Sequence, residues 1–354
     1  MLRWLVSSGV EAPCPPPLAD PLPDQLWSEF VDRVVAERIA GLLDKAIDEG
    51  LPATPQQHRA ATDAYRQAVM HDLRVEEAML RVAGALDGSN VRWRVIKGAA
   101  AARQLHPDPS LRSTGDVDVM VHPDDFDTAL LLIQPMGSTG ADYPAHGPAS
   151  RQHAAEQTFV TRLGVELDVH RAVRGPLNRY RIPPALLFEA PQAIEVQGQD
   201  LEAPPPAVVV LHAMLHLGTG RRGPTGSARL STLFDLLVAR RHFPSEYSRA
   251  HELAAITGNS TPALWAHAVL ADWPTGADGS TVDKASPGVS VWAYDRMLAQ
   301  PGLASVLQRF EGPDRLQRAW EALVPDSAYR RRHDRTVADQ LRYVRARLSR
   351  RSDQ

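Results

Sequence analysis

Asp116 and Asp118 stand one residue apart inside the run Arg112-Ser113-Thr114-Gly115-Asp116-Val117-Asp118-Val119-Met120-Val121. The alternation of carboxylate and valine is that of a β-strand with its apolar side chains on one face. Residues two apart on a strand point the same way, ~6–7 Å from each other. Like charges so placed repel unless a cation lies between them. A pair of divalent ions about 4 Å apart would satisfy them, as in metal-dependent phosphoryl transfer. The plainer alternative is an edge strand that carries exposed aspartates for solubility.

Phosphoryl transfer also needs a cradle for phosphate, and one stands upstream. Val91 to Ile96 reads as a strand, Lys97-Gly98 ends it, and Ala99 to Leu105 is strongly helix-forming. A strand, a glycine and a helix start gather free backbone N–H groups at one point, where an anion is held by those donors and the helix dipole. Lys97 adds a point charge. Of the 39 basic residues three are lysine (Lys45, Lys97, Lys284), so a lysine at this junction stands out.

A third carboxylate is expected on a neighbouring strand. Val165 to His170 alternates, placing Glu166, Asp168 and His170 opposite Val165, Leu167 and Val169. Thr158 to Arg162 alternates as well, with Leu163-Gly164 as the turn of a hairpin. Such a hairpin beside the Asp116 strand would bring Asp168 to the metals. Glu166 reads as a solvated edge residue, and His170 as either a packed histidine or an acid–base group.

Lys97-Gly98, His106-Pro107-Asp108-Pro109-Ser110-Leu111-Arg112, Gly115-Asp116-Val117-Asp118 and Glu166-Leu167-Asp168-Val169-His170 together resemble a known pattern. It is that of the uncharacterised nucleotidyltransferases within the DNA-polymerase-β-like superfamily. The resemblance implies an α+β fold, with a small mixed sheet and helices as the minimal nucleotidyltransferase core, flanked by N- and C-terminal helical regions. It implies transfer of a nucleoside monophosphate from an Mg²⁺-bound NTP, with ATP among the donors, to a hydroxyl acceptor. By position, Asp116, Asp118 and Asp168 would be catalytic and hold two Mg²⁺ ions. Lys97 and Gly98 would meet the triphosphate, with Arg112, His170, His216 and Arg229 also counted toward the nucleotide site. The acceptor stays open between a small molecule, a peptide, a protein and tRNA. His106 stands where the family has tyrosine, and Ala99 where wider superfamily members have serine. A catalytically silent nucleotide-binding or scaffold protein of the same fold is the alternative, and the presence of all three carboxylates favours an enzyme.

Four segments position these residues. Residues 1–23 form a proline-rich arm, 24–90 an N-terminal helical region, 91–203 the core and 204–354 a C-terminal helical region. Leu26, Phe30 and Val34, then Ile39, Leu42 and Leu43, recur at helical spacing, with Asp24 as a candidate N-cap. A long helix spans Gln56 to Leu86, with one stripe of Tyr65, Val69, Leu73 and Leu80 and another of Val75, Met79, Val82 and Leu86. Asp124 to Ile133 is helical. Gly137 to Gln157 reads as a long loop carrying His146 and His153. His212 and His216 fall one turn apart on a helix; this is the spacing of zinc proteases without their glutamate or a thiolate. Arg229-Leu230 and Asp235 follow, and the resemblance implies that His216, Arg229 and Asp235 line a pocket or join a polar network. Arg221 and Arg222 sit in a glycine-rich loop, and a basic amphipathic stretch begins at Arg330. It reads as a solvated helix face or, less often, a site for RNA or an acidic partner.

Composition sets the boundaries. A net charge of −3 over 354 residues argues against a broad nucleic-acid footprint. No stretch approaches a membrane span, and Leu2 to Val6 is too short for a signal segment. The single Cys14 suits a reducing compartment, so a cytoplasmic location is expected.

Overall fold

The sheet decides where the carboxylates go. The computed structural model describes residues 1–10, 18–138, 156–173, 181–218 and 230–271. Its main sheet contains β1 (Trp93–Val95), β2 (Val117–Val121), β3 (Gly137–Ser138), β4 (Glu156–Thr161) and β5 (Glu166–His170), in the order β1-β2-β5-β4-β3. β2 runs antiparallel to β1 and parallel to β5, and β4 pairs antiparallel with both β5 and β3. The fold is α+β, with helices before, within and after a small mixed sheet.

β2 is an internal strand, and all five of its residues are buried. This excludes the edge-strand reading, because Asp118 has no solvent to face. β4 and β5 form the hairpin read from the sequence. Gly164 takes φ +71° in its turn, a conformation that suits glycine. Thr161 N donates to Val165 O at 2.9 Å to close it.

The N-terminal helices α1 (Leu2–Ser8), α2 (Asp24–Ala36), α3 (Ala40–Asp48) and α4 (Pro55–Leu86) precede the sheet. The first ten residues of the segment read as a proline-rich arm hold a helix, Leu2–Ser8. Leu5 and Val6 are apolar and fully buried, and α1 packs on α3. Asp24 is the first residue of α2 rather than its cap, and its carboxylate accepts from Gln57 Nε2 at 2.8 Å. α4 starts with a capping box, in which Thr54 and Gln57 exchange side-chain-to-backbone bonds of 3.2 Å, and Pro55 opens the helix. Val75, Met79, Val82 and Leu86 are its buried stripe, whereas Leu73 of the other stripe is exposed.

Between β1 and β2 lies α5 (Lys97–Leu105), with Ala99 to Ala102 all buried. Alanine there allows close approach on every side. After the sheet's α6 (Phe126–Ile133) come α7 (Pro184–Phe188), a hairpin of β6 (Gln192–Val196) and β7 (Gln199–Ala203), then α8 (Pro206–Gly218), α9 (Leu230–His242), α10 (Pro244–Ile256) and α11 (Ser260–Ala271). α5 packs on α8, α9 and β6, so the C-terminal helices lean on the element that carries Lys97. Apolar side chains from all these regions form one contiguous hydrophobic cluster.

Candidate active site

The parallel register sets Asp118 opposite Asp168, and Met120 opposite His170. Asp118 is 3% exposed, so its charge must be met inside the protein. Lys97 does this from the β1–α5 junction, where its ammonium bonds Asp118 Oδ1. Lys97 holds φ +53°, which is costly for a residue with a β-carbon. Ile96 N donates to Asp118 O at 3.0 Å and fixes that junction on β2. His170 Nε2 lies 2.8 Å from Asp118 Oδ1 and 3.0 Å from Lys97 Nζ, and His170 Nδ1 lies 3.1 Å from Glu156 Oε2. Thr158 Oγ1 donates to Asp168 Oδ1.

These contacts set the charges. Burial opposes ionisation of Asp118, but Lys97 and the His170 hydrogen bond outweigh it and hold the carboxyl below its usual range. Burial likewise opposes the Lys97 charge. Asp118, Asp168 and Asp116 all act against that loss, and the net shift is upward. His170 also ends above its usual value, because bonds to Asp118 and Glu156 overcome burial and the Lys97 charge. Asp168 is raised by burial and by the negative charge of Asp118.

Asp116 immediately precedes β2, and its Oδ1 accepts from Arg38 Nη1 at 3.1 Å. The loop that carries it is pinned from the N-terminal helices. Ser113 N donates to Arg38 O at 3.1 Å, Thr114 N to Asp72 Oδ1 at 2.7 Å, and His71 Nε2 lies 3.0 Å from Gly115 O. Arg38, His71, Asp72, Glu156 and Thr158 are the polar residues that sequence reasoning missed. The first three lie in or beside helices whose periodicity signals only packing, so no local pattern marks them. Glu156 and Thr158 were within reach, since they share the strand alternation of the E-x-D-x-H hairpin.

Arg112 lies behind the cradle rather than in its mouth. It bonds both oxygens of Asp235 at 3.0 Å, and His106 Nε2 lies 2.8 Å from Asp235 Oδ1, with its ring 4.6 Å from that of Phe234. All three polar residues are buried. Gly98 backs onto this network, since an added Cβ would stand 2.7 Å from Arg112 Nη1. His106 thus falls in a buried polar network that includes Asp235.

On α8, His216 Nδ1 is 3.4 Å from Thr232 Oγ1. His212 is held neutral well below its usual value by burial, then by Lys97 and His216, so its helix borders the site electrostatically. Among the described residues, Asp118, Asp168 and His170 form the group able to hold a metal ion, with donor atoms within 4.8 Å of one another. Asp116 and the His212/His216 pair stand outside that group. Arg229, His146, His153, Arg221, Arg222 and the basic stretch from Arg330 lie outside the described residues.

Residues 23–273 match the profile of a family described as uncharacterised nucleotidyltransferase. The chain belongs to this family. The match runs from the start of α2 past the end of α11, so the nucleotidyltransferase family includes the helical flanks as well as the sheet. Among solved structures, the antibiotic-resistance factor ANT(2'')-Ia shares 13% identity, covering 55% of this chain and 97% of its own, with a TM-score of 0.36. An antigenic nucleotidyltransferase-like protein from Paracoccidioides brasiliensis shares 16% identity, covering 54% of this chain and 93% of its own, with a TM-score of 0.29. No curated protein matches the sequence. No described helix is long and apolar enough to cross a membrane.

Proposed function

We propose that the chain is a metal-dependent nucleotidyltransferase that moves a nucleoside monophosphate from an NTP to an acceptor hydroxyl and releases pyrophosphate. The observation that carries this reading is the β2–β5 register, which sets Asp118 and Asp168 side by side with Lys97 at the helix start beside them. The two carboxylates suit a hard divalent ion, and their oxygens lie within 4.8 Å of each other and of a His170 ring nitrogen. Asp116, two residues before Asp118, supplies the third carboxylate, and two Mg²⁺ ions are the proposed complement. When bound, the metal would lower the acceptor's pKa and neutralise phosphate charge.

The chain's own residues do the rest. Lys97 and the Gly98 amide hold the phosphates and stabilise the charge that builds on the departing pyrophosphate. The acceptor oxygen bonds the α-phosphorus as the bond to the β-phosphate oxygen breaks. Asp168, raised by burial and by Asp118, takes the acceptor's proton. His170 orients Asp118, and Arg112 supports Gly98 from behind. His216 and Arg229 are proposed to border the nucleotide, and the acceptor is a small molecule, peptide, protein or tRNA in a cytoplasmic setting.

Titration calorimetry with each of the four NTPs, with and without Mg²⁺, tests the reading. Mg²⁺-dependent binding of one NTP, lost in Asp116→Ala/Asp118→Ala, is expected; failure to bind any NTP refutes it. A second reading, a catalytically silent nucleotide-binding protein, draws on Lys97 and Arg38, which already neutralise Asp118 and Asp116. Binding without pyrophosphate release on any acceptor class would select it.

A further inference from the structure

Among the described residues, three cations stand by the Asp116–Asp118 pair, and they differ in how tightly they are held. Lys97 is lodged between Asp118 and His170. Arg112 is closed off by two bonds to Asp235 and one of 3.2 Å to Ser113 O. Arg38 is different. It gives Asp116 one nitrogen, and its side chain keeps 23% of its surface open where that of Arg112 keeps 7%; Lys97 is as open as Arg38 but is shared between two partners. Among the described residues, Arg38 is therefore the part-exposed guanidinium beside these carboxylates.

The backbone holds Arg38 there at a cost. Its φ is +62°, a conformation that a side chain with a β-carbon rarely adopts. The conformation is fixed from both sides, by Arg38 N donating to Val35 O at 2.9 Å and by Ser113 N donating to Arg38 O at 3.1 Å. The guanidinium sits against Gly115, where an added Cβ would stand 1.8 Å from Arg38 Cζ. His71 and Asp72 in turn hold the Thr114–Gly115 floor. A half-open ion pair contributes little stability and does not require a strained residue or a cleared floor. Such outliers persist where the surroundings over-determine them, characteristically at ligand clamps.

We propose that Arg38 is a phosphate-binding residue of this site, resting on Asp116 in the structure and turning its fork to the donor's phosphate oxygens when Asp116 engages metal. The proposal rests on the nucleotidyl-transfer reading above and extends it to a residue outside the core motifs. Guanidinium suits the task, with five donors in a planar fork that matches phosphate oxygens two at a time. Beside Asp116 it also offsets the repulsion between three carboxylates and a polyanion.

The test is titration of inorganic tripolyphosphate with Mg²⁺ into the full chain, Arg38→Gly and Arg38→Lys, with thermal melting of each. Glycine accepts the positive φ, so Arg38→Gly removes the fork while relieving the backbone, and its melting temperature is expected at or above that of the wild type. Its affinity is expected to fall about tenfold or more. Arg38→Lys keeps the charge but loses the fork, and should fall in between. If Arg38 serves only as the counter-ion of Asp116, removing it frees that carboxylate for metal, and binding stays the same or tightens. That outcome overturns the proposal while leaving nucleotidyl transfer intact. Failure of the wild type to bind Mg²⁺-tripolyphosphate overturns both. Should Arg38→Gly melt lower than the wild type, Arg38→Lys decides: weaker binding at an unchanged melting temperature supports the proposal, and unchanged binding overturns it.

Discussion

Asp118 and Asp168 are register partners on adjacent parallel strands, and the charge of the first adds to burial in raising the pKa of the second. The two carboxylates are thereby differentiated. Asp118 is locked as an anion by Lys97 and His170, and Asp168 is left as the better proton acceptor. The parallel register brings the carboxylates together, and Lys97 and His170 set their charges apart.

Asp118→Ala should abolish pyrophosphate release and also destabilise the fold, because the half-buried Lys97 ammonium loses its partner. Breaking a fully buried pair costs about 3–5 kcal/mol, and the part-exposed Lys97 places this one below that range. Asp118→Ala/Lys97→Met should regain most of that stability with no return of activity. Urea unfolding beside a pyrophosphate assay separates the two effects.

Asp168→Asn preserves the shape of the side chain and the acceptor for Thr158 but not the basic oxygen. Pyrophosphate release should fall by roughly 10²–10⁴, the range for loss of a general base. Melting temperature should change little. A rate within threefold of wild type would remove Asp168 from proton transfer.

Gly98→Ala places a methyl group 2.7 Å from Arg112 Nη1. An arginine tip usually yields, but this one is clamped on both oxygens of Asp235. Overpacking of this kind costs about 1–3 kcal/mol. The penalty should shrink when Asp235→Asn loosens the clamp, a coupling that a double-mutant cycle in denaturant would register.

Asp72 gives a pH signature. Burial pushes its carboxyl up to about 6 from 3.8, against the bond from Thr114 N. The folded state therefore keeps a proton that the unfolded chain has released, and Asp72's contribution to stability falls as pH rises from about 4 to about 6. Asp72→Asn should flatten that slope and add on the order of 2 kcal/mol at pH 8. Urea midpoints at pH 4.5 and pH 8 test it; an unchanged slope in the variant would show that Asp72 is not its source.

Much of the core was legible because it is local. The β4–β5 hairpin follows from alternation and a turn at Gly164, which takes the positive φ. The long α4 follows from its apolar stripe at Val75, Met79, Val82 and Leu86. The same stripe logic overstated Leu73, which has helical spacing but no neighbour to bury it. The first helix was missed because the prolines beyond it dominate the composition of 1–23, while Leu5 and Val6 become core residues only through contact with distant helices.

The sequence by itself determined which polar residues stand at strand spacing: the aspartates of the D-x-D strand, the E-x-D-x-H strand and the lysine–glycine junction. Residue type and a period of two are written in neighbouring positions. Only the tertiary structure decided how these groups are paired. It set Asp168 against Asp118, turned Arg112 toward Asp235, and brought Arg38 from the end of α2 to Asp116, 78 residues away. Those choices depend on strand order, on the burial of charge and on packing between distant elements. None of these leaves a periodic trace along the chain.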